Sequence, residues 1–137
     1  MPAARRFLRD RLHHDESVVF LARSDRIPVG FAQLYPSFTS IRLGRMWILN
    51  DLYVVPSARR RGVGDRLLER CEEFVAGSGA EGAWLETAVD NPAQRLYARR
   101  GWKLDREFLH FDWDVPNTRP RSARRGTKGR ARRRRRA

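Results

Sequence analysis

Six consecutive residues, Arg59-Arg60-Arg61-Gly62-Val63-Gly64, stand between an apolar run and an amphipathic one, and their chemistry suits an anion. Ahead of them, ILNDLYVV at 48–55 is nearly continuous apolar sequence, as in a strand covered on both faces. Pro56 and Ser57 end that strand. Behind them, Val63, Leu67, Leu68, Cys71, Phe74 and Val75 fall on one helical face. A helix that starts here presents N–H groups with no partner inside the helix, and its dipole favours negative charge at that end. Glycines let the main chain approach phosphate oxygens, and arginines add charge and forked donors. A P-loop needs Lys-Ser or Lys-Thr after its second glycine, but Asp65 follows Gly64. A dinucleotide-binding turn needs a small residue three places after Gly64, but Leu67 is there. What remains is Arg59-x-x-Gly62-x-Gly64 behind an apolar strand, a place to hold a phosphorylated ligand.

The second informative stretch is Asp90-Asn91-Pro92-Ala93-Gln94-Arg95-Leu96-Tyr97-Ala98-Arg99-Arg100-Gly101-Trp102. Asn or Asp as N-cap and proline in the first turn start a helix, and Gly101 stops it. The first stretch resembles the acetyl-CoA pyrophosphate loop of the GNAT N-acetyltransferase superfamily. The second is similar to that superfamily's Asn-x-x-Ala-x-x-Leu-Tyr-x-x-x-Gly-aromatic signature. The two occur in the family's order, and the resemblance covers about residues 18–114.

The resemblance implies a set of roles. Acetyl-CoA lies where the central strand splays from the next one. Leu52, Tyr53 and Val54 hydrogen-bond its pantetheine arm through their main chain. Arg59 marks the start of the loop, and Arg60, Arg61, Gly62, Val63, Gly64 and Asp65 wrap the pyrophosphate. Asn91 contacts the cofactor, and Tyr97 sits near its sulfur. A neutral amine attacks the thioester carbonyl and expels thiolate, so an acid, a base and an oxyanion site are needed. A phenol with a pKa of about 10 can protonate the sulfur, which makes Tyr97 the expected acid. Relatives often carry a glutamate on the central strand; Asn50 stands at that position and cannot act as a base. Asp51 and Glu86 are the candidate bases, acting directly or through water. The acceptor is a primary amine: a small amine, a polyamine or a protein amine. An inactive CoA-binding domain is the alternative of the same fold.

Period-two and 3.6 patterns place the elements around these residues. A short helix is expected at 4–14, then strands at 18–23, 28–35 and 45–55, separated by a turn and, at 36–44, by a polar loop or a loop with a bit of extended chain. The helix after the glycine loop runs to about residue 76. A strand at 83–88, a helix from 91 to 100 and extended segments at 102–104 and 107–114 follow. This order predicts an α+β fold with a mixed, mostly antiparallel sheet flanked by helices. Family members usually open with a strand and two helices before this hairpin. Seventeen residues precede Val18, so the fold is expected to be N-terminally shortened, with an open sheet edge that favours a homodimer.

Composition divides the 137 residues in two, a domain at 1–116 and a basic disordered tail at 117–137. After Asp114 there are ten arginines and Lys128 and no acidic residue, and they supply most of the net charge of +13. Such a tail suits weak, nonspecific nucleic-acid binding, an alternative use of the chain. The lone Cys71 lies on the helix's apolar face, which excludes an internal disulfide and a cysteine-based zinc cluster. Adjacent His13 and His14 do not share a helix face, so no metal site is expected. No run approaches the ~20 apolar residues of a membrane span, and no signal-peptide pattern opens the chain. A cytoplasmic protein is expected.

Overall fold

A computed structural model describes residues 2–116. The chain divides into two compact units after Lys103. The first contains helix α1 (Pro2–His13), strands β1 (Val18–Ser24), β2 (Ile27–Thr39) and β3 (Gly44–Val54), helix α2 (Val63–Gly77), strand β4 (Gly82–Trp84) and helix α3 (Gln94–Arg99). The strands form one sheet in the order β1-β2-β3-β4. The first two pairings are antiparallel and β3–β4 is parallel, so the mixed, mostly antiparallel sheet read from the sequence is the one observed. The basic tail at 117–137 lies outside the described residues.

One sheet face is covered by α2. Ala32 and Leu34 of β2, Trp47 and Leu49 of β3, and Leu67, Leu68, Cys71 and Val75 of α2 form the buried core. Phe74 links three elements: its ring lies 5.6 Å from Phe20 and 4.9 Å from Trp47, both edge-to-face. The Trp47 indole N–H donates to Ser78 Oγ at 3.1 Å, so the one polar atom of the ring is satisfied where α2 ends. The opposite face buries Gln33, whose Nε2 donates to Ser17 Oγ at 2.8 Å.

Three expectations are corrected. The polar loop at 36–44 is mostly strand: β2 continues to Thr39 and pairs with β3 up to Thr39–Gly44. Pro36 is tolerated because β1 pairing ends at Leu34, leaving β2 one open side where no ladder N–H is needed. The strand at 83–88 is reduced to Gly82–Trp84. The extended segments at 102–104 and 107–114 form no strand. In the second unit, Asp105 Oδ1 accepts from the N–H groups of Glu107 (2.9 Å) and Phe108 (3.2 Å). That side-chain turn uses two main-chain donors that a ladder would need.

The β2–β3 register shifts by one residue: Gln33 pairs with Asp51 and Leu34 with Leu49, leaving Asn50 as the extra residue of a bulge. Gly30 permits a close approach on the same pair. A Cβ there would stand 2.7 Å from Tyr53 O and 3.2 Å from Leu67 Cδ1. Because the first obstacle is main chain, Gly30→Ala should lower unfolding free energy by about 1–3 kcal/mol. A denaturant titration measures this; an unchanged midpoint would show that β2 and β3 can part at no cost.

Candidate active site

Strand β3 is bonded to β4 for three residues only, Met46–Gly82, Trp47–Ala83 and Ile48–Trp84. The bulge at Asn50 follows two residues later. Bulges bend a strand and raise its twist, which turns the rest of β3 away from the chain leaving β4. From Leu49 to Val54 no strand among the described residues pairs with that side of β3.

Alternation decides which groups line the opening. Val55 N–H donates to Val29 O at 2.8 Å, so residue 55 points its main chain at β2. Tyr53, two residues earlier, does the same, as its close approach to Gly30 requires. The main-chain groups of Leu52 and Val54 therefore point into the opening. Val54 O accepts there from Arg59 Nε at 2.8 Å, and the Arg59 guanidinium lies 5.7 Å from the Tyr53 ring centre. Arg59 is thus engaged with the strand it follows.

The loop between β3 and α2 begins with a 3-10 turn, Pro56–Ala58. Arg60 (φ 60°) and Gly62 (φ 79°) both adopt left-handed backbone. Glycine suits that geometry, whereas arginine is strained in it, and such strain concentrates at functional sites. Gly62 caps α2 without any side-chain hydrogen bond. Its carbonyl already receives Arg66 N–H at 3.0 Å. The N–H groups of Val63, Gly64 and Asp65 have no intrahelical partner. A Cβ at Gly62 would meet nothing within 4 Å. Unpartnered main-chain donors at a helix start are what an anion site needs.

Asp65 adds a carboxylate to that same turn, and α3 neutralises it. Arg100 Nη1 lies 3.2 Å and Arg99 Nη2 3.5 Å from its oxygens. Arg100 also holds Glu72 through Nε (3.0 and 3.1 Å) and Nη2 (2.8 Å), and Trp102 Nε1–H donates to Glu72 at 2.8 Å. Burial opposes the charge on Glu72, but the hydrogen bonds from Arg100 and Trp102 outweigh it and hold the carboxyl below its ordinary range. The sequence reading missed this clamp. Its signal was the acidic spacing Asp65, Glu69, Glu72 along one flank of α2 facing an arginine-ended helix.

Tyr97 is carried by α3, half-buried, with its ring 6.3 Å from that of Trp102. Burial raises its pKa above 10, so the phenol keeps its proton at neutral pH. Asn91 spends both side-chain functions inside the turn before α3: Nδ2 donates to Thr87 Oγ1 (2.8 Å) and Oδ1 accepts Ala93 N–H (2.9 Å).

The candidate bases lie apart. Asp51 accepts from Asn50 Nδ2 at 3.0 Å and pairs across the ladder with Gln33, on the face away from α2. Tyr35 stands near it: burial first, then the Asp51 charge, raises the Tyr35 pKa, with Arg11 opposing. Tyr35 was not singled out in the sequence, although the hairpin pattern puts it on the Gln33 face. Glu86 is exposed, in the segment after β4. Tyr97 and the start of α2 are thus on the α2 side of the sheet, and Asp51 and Tyr35 on the other.

A family model described as the acetyltransferase (GNAT) family matches residues 1–102. A Bacillus subtilis (strain 168) protein named uncharacterized N-acetyltransferase YhfO is 40% identical over 85% of this chain and 78% of its own length. The aminoglycoside N(6')-acetyltransferase type 1 of Klebsiella aerogenes is 33% identical over 64% of this chain and 59% of its own. A crystal structure of a probable acetyltransferase superposes with a TM-score of 0.78 at 40% identity, over 85% of this chain and 80% of that one.

The clamp gives an acid-stability test. A group with a lowered folded pKa stabilises the fold above its unfolded value, and that contribution is lost as pH falls through the folded one. The melting temperature should therefore drop below about pH 4.3, the ordinary glutamate value. In Glu72→Gln the drop should be shallower, from a lower start at pH 7. Parallel curves for the two proteins would show that Glu72 is not the group being titrated.

Proposed function

The chain belongs to the GNAT acetyltransferase family, and on that footing we propose that it transfers acetyl from acetyl-CoA to a primary amine by direct attack. The observation that carries this reading is the β3–β4 opening, lined by main-chain groups of Leu52 and Val54 and closed at one end by the uncapped start of α2. An amide-bearing chain fits the first part as an added strand would, and a pyrophosphate fits the second.

Each group then has a task. Leu52 and Val54 hold the pantetheine arm through their main chain. The amides from Arg60 to Asp65 receive the pyrophosphate, and Arg60 and Arg61 add positive charge. The thioester supplies the activated acyl group. Main-chain N–H groups in the opening meet the charge that develops on the acetyl oxygen. Tyr97, protonated through its burial, gives its proton to the departing sulfur. Asp51, hydrogen-bonded by Asn50, takes the proton from the ammonium on the far side, directly or through water. Glu86 is the second candidate for that step. The relative named for aminoglycosides supports an acceptor that carries a cationic amine.

Purified protein incubated with acetyl-CoA and a panel of amines should release free thiol. Tyr97→Phe should lower kcat by about 10²–10³ with little change in KM for acetyl-CoA. Tight CoA binding with no thiol release from any amine would replace this reading with that of an inactive CoA-binding domain.

A further inference from the structure

Helix α2 begins with a conflict of charge. Its first amides favour an anion, yet Asp65 puts a carboxylate in the same turn. Two arginines meet that carboxylate from α3, and they are held differently. The Arg100 side chain is 19% exposed. Besides Asp65 it holds Glu72, through Nη2 at 2.8 Å and through Nε at 3.0 and 3.1 Å. Arg99 is 66% exposed and meets Asp65 through Nη2 at 3.5 Å, longer than an ordinary hydrogen bond. An ion pair so exposed and so long contributes little to stability. Arg99 can leave Asp65 at small cost, and Arg100 then still neutralises it.

Several neighbouring arginines are placed elsewhere. Arg59 donates to Val54 O. Arg61, Arg66 and Arg70 line a groove between α2 and β1, whereas Asp65, Glu69 and Glu72 take the flank of α2 that faces the α3 arginines. Arg99 is thus a loosely held cation beside the first turn of α2.

The strength of an anion decides whether it can take an arginine from a carboxylate. A carboxylate carries one charge and two acceptor oxygens. A phosphomonoester carries about −1.5 to −2 at neutral pH and offers three. The diphosphate of acetyl-CoA spreads one charge over each phosphorus, and the amides of α2 serve it in the reading proposed above. The remaining phosphate, the monoester on the ribose, is the stronger competitor and has no partner in that reading. Resting on that reading, we propose that Arg99 determines specificity for the acyl donor. It leaves Asp65 when the donor binds and pairs with the ribose phosphomonoester, while Arg100 keeps Asp65 neutral. A donor without that phosphate leaves Arg99 on Asp65 and gains nothing from it.

Calorimetric titration of the full-length protein with CoA and with dephospho-CoA, which lacks the ribose phosphate, tests this. Arg99→Gln should weaken CoA about fivefold and leave dephospho-CoA unchanged. Because Arg99 is exposed, the variant should melt as the parent does, so a lost affinity is not a lost fold. CoA affinity that survives the change would overturn the proposal. An equal loss for both ligands would assign Arg99 to the diphosphate and overturn it too. Asp65→Asn gives a test of opposite sign. It should tighten CoA, since Arg99 then has no pair to break, and Arg99→Gln should cost more in that background than in the parent. If the Asp65 pair served only to fasten α3, Asp65→Asn would weaken CoA, which contradicts the exchange. Parent protein that binds neither ligand would overturn the acetyl-CoA reading itself, and this inference with it.

Discussion

A main-chain group cannot be left without a partner at no cost, and in this fold that constraint falls on one side of β3. The parallel pairing with β4 lasts three residues. Beyond it, Leu52 and Val54 project donors and acceptors into an opening, and a few residues further the first amides of α2 are equally uncapped. In the proposed reading, acetyl-CoA would offer its amide-bearing arm to the first set and its phosphate end to the second. The bulge at Asn50 and the close contact at Gly30 are the local devices that produce this geometry. The bulge bends the strand outward, and Gly30 lets β2 hold β3 firmly from behind.

Helix α2 joins the two halves of the site by electrostatics. Its N-terminus offers positive potential to an anion, yet Asp65 puts a carboxylate in the same turn. Arg99 and Arg100 cancel that carboxylate from α3. The same Arg100 reaches Glu72, so the helix that carries Tyr97 is fastened to α2, whose start is the proposed phosphate site. The proposed acid and anion site therefore keep their spacing, which is what acyl transfer needs from a proton donor. Sending the acidic residues to one flank leaves the arginines on the other, and the β1 groove inherits them.

Much of this was legible from local sequence. The strand at 48–55, the glycine turn and the apolar face of α2 are carried by residues that neighbour each other in the chain, and they appear where expected. The strand ends were less legible because they depend on partners. Residues 85–88 have strand-like sequence but lie past the point where β3 turns away. Residues 107–114 alternate well, yet Asp105 diverts the first donors into a turn. In the opposite direction, Pro36 reads as a strand breaker and sits harmlessly where β2 has a free side. The Arg100 clamp and Tyr35 beside Asp51 arise from contacts between distant segments, so only the charge spacing on α2 and the hairpin alternation hinted at them.

The central claim is that the unpaired main chain of β3 and the start of α2 form one continuous ligand site. Amide hydrogen exchange, read residue by residue with and without CoA, tests it most directly. CoA should slow exchange at Leu52, Val54, Val63, Gly64 and Asp65, and leave Tyr53, already bonded to β2, unchanged. CoA binding that leaves the Leu52 and Val54 amides exchanging at their free rates would contradict the account.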